Sequence, residues 1–386
     1  MKRVIRGVIA VMAACALALA MVGCAGGGSG QSSSTRTVTA SDGTQVEIPA
    51  QVTKVAPNIG ALAEVTMIVS KGDPVISAVA TQQITDKFKR YFPRYSEGNP
   101  NDYSAQSVED LIASGTQVVF GISSMYSDDQ LDQLEQAGIA FVPINSVSTV
   151  DELCDATELI GEILGGDYQQ QAQKFSTYWK QQLSDAQNAT ASVSSKQTIL
   201  EAMYNSGSFT TVNSSDIMNE YFEAAGLTNV AADLQKSADG NNSQGSGNKS
   251  QNSGNNGQGS SNKSGGGAQG IAIDAESIAQ MNPEWIITNS QEGKEALMSN
   301  PALSKVKAIA NNHVLVSPQG AYLWIVRSGE GAMVPMWLVS QVYPDLAGDY
   351  DAKTAVKDFF KEFYSYDLDD AAAEGILAGQ SSAVTR

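Results

Sequence analysis

The sequence has very little of the chemistry that most metal centres and hydrolases need. Its 386 residues include one histidine, His313, and three cysteines, Cys15, Cys24 and Cys154. A lone histidine argues against a multi-histidine zinc or manganese site and against a Ser-His-Asp hydrolase. A phosphate loop, a GxSxG elbow and acid clusters of fixed spacing are also missing from the sequence. We therefore expect a protein that is not an enzyme and carries no resident cofactor.

Positive charge is scarce as well. The chain has 24 lysines and arginines against 41 aspartates and glutamates, which gives a formal net charge of −17 at pH 7. A surface of that sign repels nucleic acid and anionic lipid headgroups. We expect no nucleic-acid partner, and we expect contact with a membrane only through an anchor.

The apolar run of residues 8–22 is too short to span a membrane comfortably. Three cations precede the run, and it ends in "MVGC", which resembles a bacterial lipobox. The pattern predicts a lipoprotein signal peptide over residues 1–23 and lipidation of Cys24, so that the protein is exported and held at the cell membrane. An ordinary cleaved signal peptide and an uncleaved anchor are the alternatives.

The residues behind this signal predict a tether and a cysteine without a partner. Residues 24–36 are rich in glycine and serine, a composition typical of a flexible linker. Because Cys15 leaves with the signal and Cys24 is the anchor, Cys154 cannot form an internal disulfide. Its apolar neighbours recur at helical spacing, which predicts a packed core thiol.

Strand and helix patterns alternate after the tether, which predicts an α/β fold. "RTVTASDGTQVEIP" reads as a hairpin, "PVISAV" and "KQTILEAMY" as strands, and "SVEDLIASG" and "SDDQLDQLEQAG" as helices that begin with capping boxes. A helix of about residues 168–188 follows Gly165-Gly166. We predict an N-terminal α/β lobe over residues 37–148, connecting helices over 149–191 and a C-terminal α/β lobe over 192–386.

Residues 237–268 interrupt the second lobe with a stretch of serine, glycine, asparagine and glutamine. The stretch has no apolar side chain larger than alanine, so it cannot compensate the entropy of ordering. We predict a disordered surface insert. A tolerated loop expansion is the preferred interpretation, and contact with cell wall or glycan is the alternative.

Six phrases, taken in order, resemble the class III substrate-binding lipoproteins of ABC importers, which deliver ferric siderophores, haem, cobalamin and in some branches molybdate or tungstate. They are "DGTQVEIPAQVTKVAP", "AEVTMIVSKGDPVISAV", "SVEDLIASGTQVVFGISSMYSDDQLDQLEQAGIAFVPI", "NEYFEAAGLTNVAADL", "IAQMNPEWIITNS" and "NPALSKVKAIANNHVLVSPQGAYLWIVRSGEG". The resemblance implies two α/β lobes joined by a long rigid helix, with a small-molecule ligand in the cleft between them. It also implies a monomer that works with an ABC permease and its ATPase.

Ligand sites in open α/β sheets lie in loops that follow strands. Under the resemblance, the candidate ligand-binding residues are Asn58, Ser124, Met125, Tyr126, Tyr204, Tyr322, Trp324 and Arg327.

Arg327 stands out in this set. If Ser328 caps the helix that follows, Arg327 lies beside a helix N-terminus, where the macrodipole disfavours a cation. Either Glu330 neutralises the arginine locally, or an anionic ligand binds to the guanidinium and the free amides of the helix start. A structural arginine–carboxylate pair with packed aromatic rings is the competing interpretation.

The ligand is expected to be an iron complex. Tyrosines 126, 204 and 322 suit ferric iron or haem, because phenolate is a hard anionic ligand, and Arg327 suits an anionic siderophore. Molybdate or tungstate is the second candidate, and cobalamin stays open. A surface sensor or interaction lipoprotein is the alternative class, and the insert would favour it.

The resemblance also implies one surface carboxylate in each lobe that docks the permease. Glu64 falls where the first is expected, and Glu220 or Glu223 would serve as the second.

Overall fold

The computed structural model describes residues 34–80, 86–235 and 270–380. The predicted signal peptide, the lipidation site Cys24 and the insert at 237–268 lie outside the described residues. None of the helices within the described ranges is long and apolar enough to cross a membrane.

The described strands and helices alternate along most of the chain. The strands are β1 Thr35–Thr39, β2 Gln45–Pro49, β3 Val55–Pro57, β4 Val118–Gly121, β5 Ala140–Pro143, β6 Gln197–Glu201, β7 Met203–Asn205, β8 Ser208–Thr211, β9 Leu227–Asn229, β10 Ile271–Ile273, β11 Trp285–Thr288 and β12 Val314–Val316. The helices are α1 Gly60–Val69, α2 Asp86–Tyr91, α3 Val108–Ser114, α4 Asp128–Gln136, α5 Val150–Leu164, α6 Asp167–Thr190, α7 Ile217–Ala224, α8 Ala275–Met281, α9 Gln291–Met298, α10 Lys307–Ala310, α11 Val334–Val342, α12 Ala352–Tyr364 and α13 Asp370–Leu377.

Two parallel sheets form the cores of two α/β lobes. The first has the strand order β3-β4-β5, and the second has the order β12-β11-β6-β9. In the first sheet Val55 pairs with Val118, and Val118 pairs with Ala140. Every residue of β3 and β4 is buried, as expected of parallel strands covered by helices on both faces. The predicted fold class is confirmed.

The helix that joins the lobes, α6, has 24 residues and is therefore roughly 36 Å long. The predicted break before it is present, because Gly165 and Gly166 both have positive φ angles. Its buried residues include Phe175 and Trp179. Cys154 of α5 packs behind Ser176 of α6 and is fully buried, which confirms the core thiol, and burial raises its pKa to about 12.

Local signals predicted several elements correctly. The hairpin is formed by β1 and β2, which are antiparallel. Ser127 and Gln130 form a reciprocal capping box at the start of α4. At α3 only half of the predicted box exists: Ser107 accepts from the Asp110 amide, whereas the Asp110 carboxylate accepts from the amide of Ser104.

The predicted strand "PVISAV" is wrong. The amide of Val55 donates to the Val75 carbonyl at 2.8 Å, and the amide of Ser77 donates to the Val55 carbonyl at 2.9 Å. These two bonds form one isolated bridge between Val55 and Ile76, and among the described residues the segment pairs with β3 nowhere else. The next donor along β3 would be residue 57, a proline, which has no amide hydrogen.

The predicted strand "KQTILEAMY" is divided into two. Its first part, β6, lies in the parallel sheet, and its second part, β7, pairs antiparallel with β8. The turn between β7 and β8 is formed by Ser206 and Gly207, which both have positive φ angles, as the tightest hairpin turns require. The strand β10 extends this small antiparallel sheet on the other side of β8.

Candidate ligand-binding cleft

The residues predicted to bind ligand follow the carboxyl ends of strands in both parallel sheets. Glu64 of α1, the helix that leaves β3, accepts a hydrogen bond of 2.9 Å from the amide of Gly329, which follows β12 along the chain. This contact links the region after the carboxyl end of the first sheet to the region after the carboxyl end of the second. The loops that carry the predicted ligand residues therefore belong to neighbouring ends of the two sheets.

Asn58 does not face a ligand. Its side chain is fully buried and clamps Ile122, donating to the carbonyl at 2.9 Å and accepting from the amide at 3.0 Å. A Cβ atom at Gly121 would lie 1.7 Å from the Asn58 carboxamide oxygen, so only glycine fits there. Asn58 thus fixes the loop after β4, and its prediction as a ligand contact is corrected.

The loop after β4 carries three predicted residues in three different environments. Ser124 is exposed and Met125 is half-buried. Tyr126 is buried, packs edge-on against Phe141, and donates its hydroxyl to the Ala105 carbonyl. Burial raises the pKa of Tyr126. Tyr126 belongs to the core and cannot supply a phenolate to a metal, which is a second correction.

Tyr204 lies at the carboxyl end of the second sheet. Its backbone is fixed by the Asn289 side chain, which accepts from the Tyr204 amide at 2.7 Å and donates to its carbonyl at 3.1 Å. The half-buried ring packs on Phe209, with ring centroids 5.1 Å apart. Its hydroxyl has no hydrogen-bond partner in the part of the chain that the structure describes.

Tyr322 and Trp324 share the loop after β12 but differ in exposure. Trp324 is fully buried and donates its indole N–H to the Glu330 carboxylate at 2.8 Å, so it is a core residue and not the predicted wall of the cleft. Tyr322 is half-buried, and its hydroxyl has no partner among the described residues. Burial, with a smaller effect of Glu64, raises the pKa of Tyr322.

Arg327 is partly exposed and makes no ion pair or hydrogen bond with the described residues. Ser328 caps the following turn as predicted, accepting from the Gly331 amide at 3.1 Å. Glu330 does not neutralise Arg327, because the Glu330 side chain is buried and points to the backbone of its own loop. The alternative of a local ion pair between Arg327 and Glu330 is therefore wrong.

The helix start beside Arg327 does not offer free amides either. Gly329 and Glu330 donate their amides to the Glu64 carboxyl group, at 2.9 and 3.2 Å. Any anion near Arg327 would therefore bind to the guanidinium without the helix N-terminus. That part of the predicted site is corrected.

Glu64 is fully buried, so the prediction that it is a surface carboxylate for docking is wrong. Besides these two amides, the Tyr364 hydroxyl lies within hydrogen-bond distance of Glu64, at 2.8 Å. Of the two second-lobe candidates, Glu220 is half-buried and accepts from the Val150 amide at 3.0 Å. Glu223 is the one exposed residue of the three.

Glu64 and Glu330 form a buried pair of carboxyl groups bridged by Tyr364. The Tyr364 hydroxyl lies 2.8 Å from a Glu64 oxygen and 2.9 Å from a Glu330 oxygen. Burial raises the pKa of Glu330 to about 7, and burial together with the charge of Glu330 raises the pKa of Glu64 to about 8. Tyr364 was not expected at the site, and Glu330 was considered only as a counter-ion of Arg327.

One groove of the structure lies apart from the predicted ligand residues, and the described acidic side chains form no metal site. A groove of about 710 Å³ runs between α6 and α12, lined by Tyr178, Phe359 and Phe363, and contains none of the residues predicted to bind ligand. Within residues 34–80, 86–235 and 270–380, no group of three or more histidine, cysteine or acidic side chains is arranged to hold a metal ion.

Comparison with known proteins places this architecture in a family. The model of the periplasmic binding protein family matches residues 101–321, which is more than half of the chain. This chain is a periplasmic binding protein. It is the substrate-binding component of an ABC transporter and not an enzyme, and such a component binds a small molecule and works with a permease and an ATPase.

Relatives of this binding protein are distant in sequence. It is 22% identical over 316 residues to the uncharacterized ABC transporter substrate-binding lipoprotein YvrC of Bacillus subtilis, covering 80% of this chain and 86% of YvrC. A periplasmic solute binding protein of Veillonella parvula has a similar structure, with a TM-score of 0.71 at 18% identity, covering 89% of this chain and 97% of the other. The molybdate-bound protein MolA of Haemophilus influenzae has a TM-score of 0.67 at 18% identity, covering 86% and 99%. At these identities the structural matches show a shared fold.

Proposed function

We propose that this binding protein captures an anionic iron complex, a ferric siderophore or haem, and delivers it to the permease. The observation that carries the proposal is the unpaired guanidinium of Arg327. An arginine without a protein partner keeps all of its guanidinium N–H donors available to a ligand. An anionic ligand would therefore gain charge-assisted hydrogen bonds there.

Two half-buried tyrosines support an aromatic or metal-chelate ligand. The hydroxyls of Tyr204 and Tyr322 have no partner among the described residues, and each ring offers an apolar face to an organic chelate. Ser124 and Met125 add a hydroxyl and an adaptable thioether from the first lobe. The proposed ligand contacts are thus Ser124, Met125, Tyr204, Tyr322 and Arg327.

An oxyanion such as molybdate or tungstate is the second candidate. The burial of Tyr126 and Trp324 removes one of three predicted phenolates and one predicted aromatic wall. A smaller set of aromatic contacts around one unpaired arginine would also accommodate a compact anion.

We further propose that Cys24 carries a lipid that anchors the protein outside the cytoplasm, and that the monomer docks its permease through Glu223. Glu223 is exposed on α7 and makes a local hydrogen bond of 2.7 Å with Asn219. Glu64 is buried and is therefore not proposed as the docking carboxylate of the first lobe.

A thermal-shift screen of the chain without residues 1–24 tests the ligand proposal. The panel contains ferric siderophores, haem, cobalamin, molybdate and tungstate. A ligand at 100 times its Kd adds about 2.7 kcal/mol to the free energy of unfolding, which a melting curve resolves. Stabilisation by an iron chelate or haem supports the first candidate, and stabilisation by an oxyanion alone supports the second. Stabilisation only by cobalamin, or by none of the panel, contradicts both.

A further inference from the structure

The carboxylate of Glu330 accepts four hydrogen bonds from the loop that carries Tyr322 and Arg327. We define the ligand loop as residues 317–328. Its donors to Glu330 are the amides of Gly320 at 2.9 Å, Ala321 at 2.6 Å and Tyr322 at 3.2 Å, and the indole N–H of Trp324 at 2.8 Å. The loop has no regular secondary structure, so these bonds replace those that a strand or helix would supply.

The backbone is shaped to let these carboxyl groups approach. A Cβ atom at Gly320 would lie 2.4 Å from a Glu330 oxygen and 2.5 Å from the ring of Phe360. A Cβ atom at Gly329 would lie 2.5 Å from the Ile68 side chain, on the helix that carries Glu64. The approach at Gly320 leaves no room for a side chain, so the loop sequence at this position is adapted to the buried Glu330 carboxylate.

Counting hydrogens shows that the pair must hold a proton. Tyr364 has one hydroxyl hydrogen and lies within hydrogen-bond distance of both carboxyl groups, at 2.8 and 2.9 Å. If both glutamates were ionised, one of these contacts would place two oxygen lone pairs against each other. A proton on one glutamate gives a continuous chain, in which that carboxyl group donates to Tyr364 and Tyr364 donates to the other.

The donors around each carboxyl group show which one is ionised. Glu330 accepts from four N–H groups, whereas Glu64 accepts from two, the amides of Gly329 and Glu330. Hydrogen bonds from N–H groups stabilise the anion, so the negative charge lies on Glu330 and the proton on Glu64. The higher pKa of Glu64, raised by burial and by the charge of Glu330, agrees with this assignment.

We propose that Glu330 is the positioning residue of the ligand loop, and that the proton kept on Glu64 holds Glu330 in place. The loop conformation determines the positions of Tyr322 and Arg327. Glu330 and Glu64 therefore affect the ligand only through Tyr322 and Arg327. The importance of this arrangement for ligand binding rests on the proposed function, whereas the positioning itself does not.

Other titratable groups around the pair stay neutral near physiological pH. Tyr91 of α2 faces Glu330, and burial together with that charge raises the pKa of Tyr91 to about 12. Burial also raises the pKa of Tyr322 and of Tyr364. The helix α6 faces Gly329 with Phe175, which carries no charge. Above pH 7, where Glu330 is ionised, deprotonation of Glu64 is therefore the ionisation that the ligand loop should sense as pH rises.

Hydrogen exchange of the ligand loop tests the proposal without any ligand. The amides of Gly320, Ala321 and Tyr322 donate directly to Glu330, so their protection, corrected for the intrinsic exchange rate at each pH, reports the bonds. In the wild-type chain we expect protection to fall about tenfold between pH 7 and pH 9, because Glu64 loses its proton with a pKa of about 8.

Two amide variants give opposite outcomes. Glu64→Gln supplies a permanent donor to Tyr364 and loses the 3.2 Å hydrogen bond from the Glu330 amide, which lies outside the ligand loop. Its loop should therefore be as protected as wild type at pH 6 and should stay protected at pH 9. In Glu330→Gln the new side-chain NH2 group faces N–H donors of the loop, and hydrogen bonds between them are lost. The loop amides should therefore exchange about tenfold faster at every pH. Peptides of α6 should not change in either variant.

Three results would overturn the proposal: wild-type protection that is independent of pH, a Glu64→Gln loop that exchanges as fast as Glu330→Gln, or a Glu330→Gln loop as protected as wild type. The wild-type pH series keeps the test valid if Glu330→Gln does not fold. Arg327→Ala separates the two proposals, because Arg327 makes no bond to the loop, and this variant should lose ligand while the loop stays protected.

Discussion

Replacing Glu64 by glutamine should make the protein more stable as pH rises, relative to wild type. Burial and the charge of Glu330 raise the pKa of Glu64 from its ordinary value of 4.5 to about 8. A raised pKa means that the folded chain binds a proton that the unfolded chain releases. The stability that Glu64 contributes is therefore complete below pH 4.5 and is lost as pH rises through 8. Glutamine does not titrate, so this loss disappears in the variant.

The size of the effect follows from the shift. Each pH unit between the two values changes the free energy of unfolding by about 1.4 kcal/mol. Between pH 6 and pH 8 the wild type should lose about 2 kcal/mol through Glu64, because the group is half ionised at the upper end. Ionisations common to both chains, such as that of the buried Glu201, cancel in the comparison.

Urea unfolding of both chains at pH 6 and pH 8 measures this difference. We expect the free energy of unfolding of Glu64→Gln minus that of wild type to increase by about 2 kcal/mol between the two pH values. Glu330→Gln is the matched control, and it should be less stable than wild type at both. If the variant's free energy of unfolding minus that of wild type stays constant or decreases between pH 6 and pH 8, the assignment of the proton to Glu64 is refuted.

Three further predictions concern other positions. Gly320→Ala should destabilise the fold by about 2 kcal/mol or more in urea unfolding, because its Cβ atom would overlap the Glu330 carboxylate and the Phe360 ring. Glu201→Gln should raise the melting temperature at pH 8 more than at pH 5, because one oxygen of this buried carboxyl group has no partner and burial raises its pKa far above the usual value. Glu223→Ala should reduce uptake by cells while the purified protein binds ligand as before.

Each of these predictions has a control. Gly98→Ala places its Cβ atom 3.5 Å from the nearest other atom, an ordinary contact, and should be nearly neutral. For Glu201, an equal gain at both pH values would show that ionisation is not the cause. For Glu223, unchanged uptake would remove the residue from the docking surface. Glu220→Ala changes a half-buried glutamate on the same helix, and it shows how much any loss of uptake depends on exposure of the carboxylate.

The fold could be predicted from the sequence because its signals are local. Periodicity, the cap at Ser127 and the glycine pair at 165–166 each act within a few residues, and the structure shows the corresponding helix starts and breaks. The strand predicted at Pro74–Val79 failed for a reason that lies elsewhere in the chain, because Pro57 on the neighbouring strand lacks the amide hydrogen that the ladder would need.

The candidate site was harder to predict because its contacts join distant residues. Glu64 looks like a solvated helix acid, yet it is the one charged residue in α1, and every residue of that helix is buried. Glu330 stands between two glycines before an apolar helix, and Glu201 is the one charged residue of β6. A lone acid in an apolar element was therefore an available signal of a buried partner. The sequence around Glu64 does not identify its hydrogen-bond partner, because that partner, Tyr364, lies 300 residues later in the chain.

The affinity of Arg327→Ala for the ligand that stabilises the wild-type protein, measured by calorimetric titration, tests the central claim most directly. Losing a charge-assisted hydrogen bond should raise the Kd about 10- to 100-fold with little change in melting temperature. Arg94→Ala is the matched control, because it removes the same charge from exposed ion pairs with Asp73 and Glu97 and should bind as wild type. Unchanged affinity of Arg327→Ala, with a large drop in melting temperature, would contradict the account and make Arg327 a structural residue.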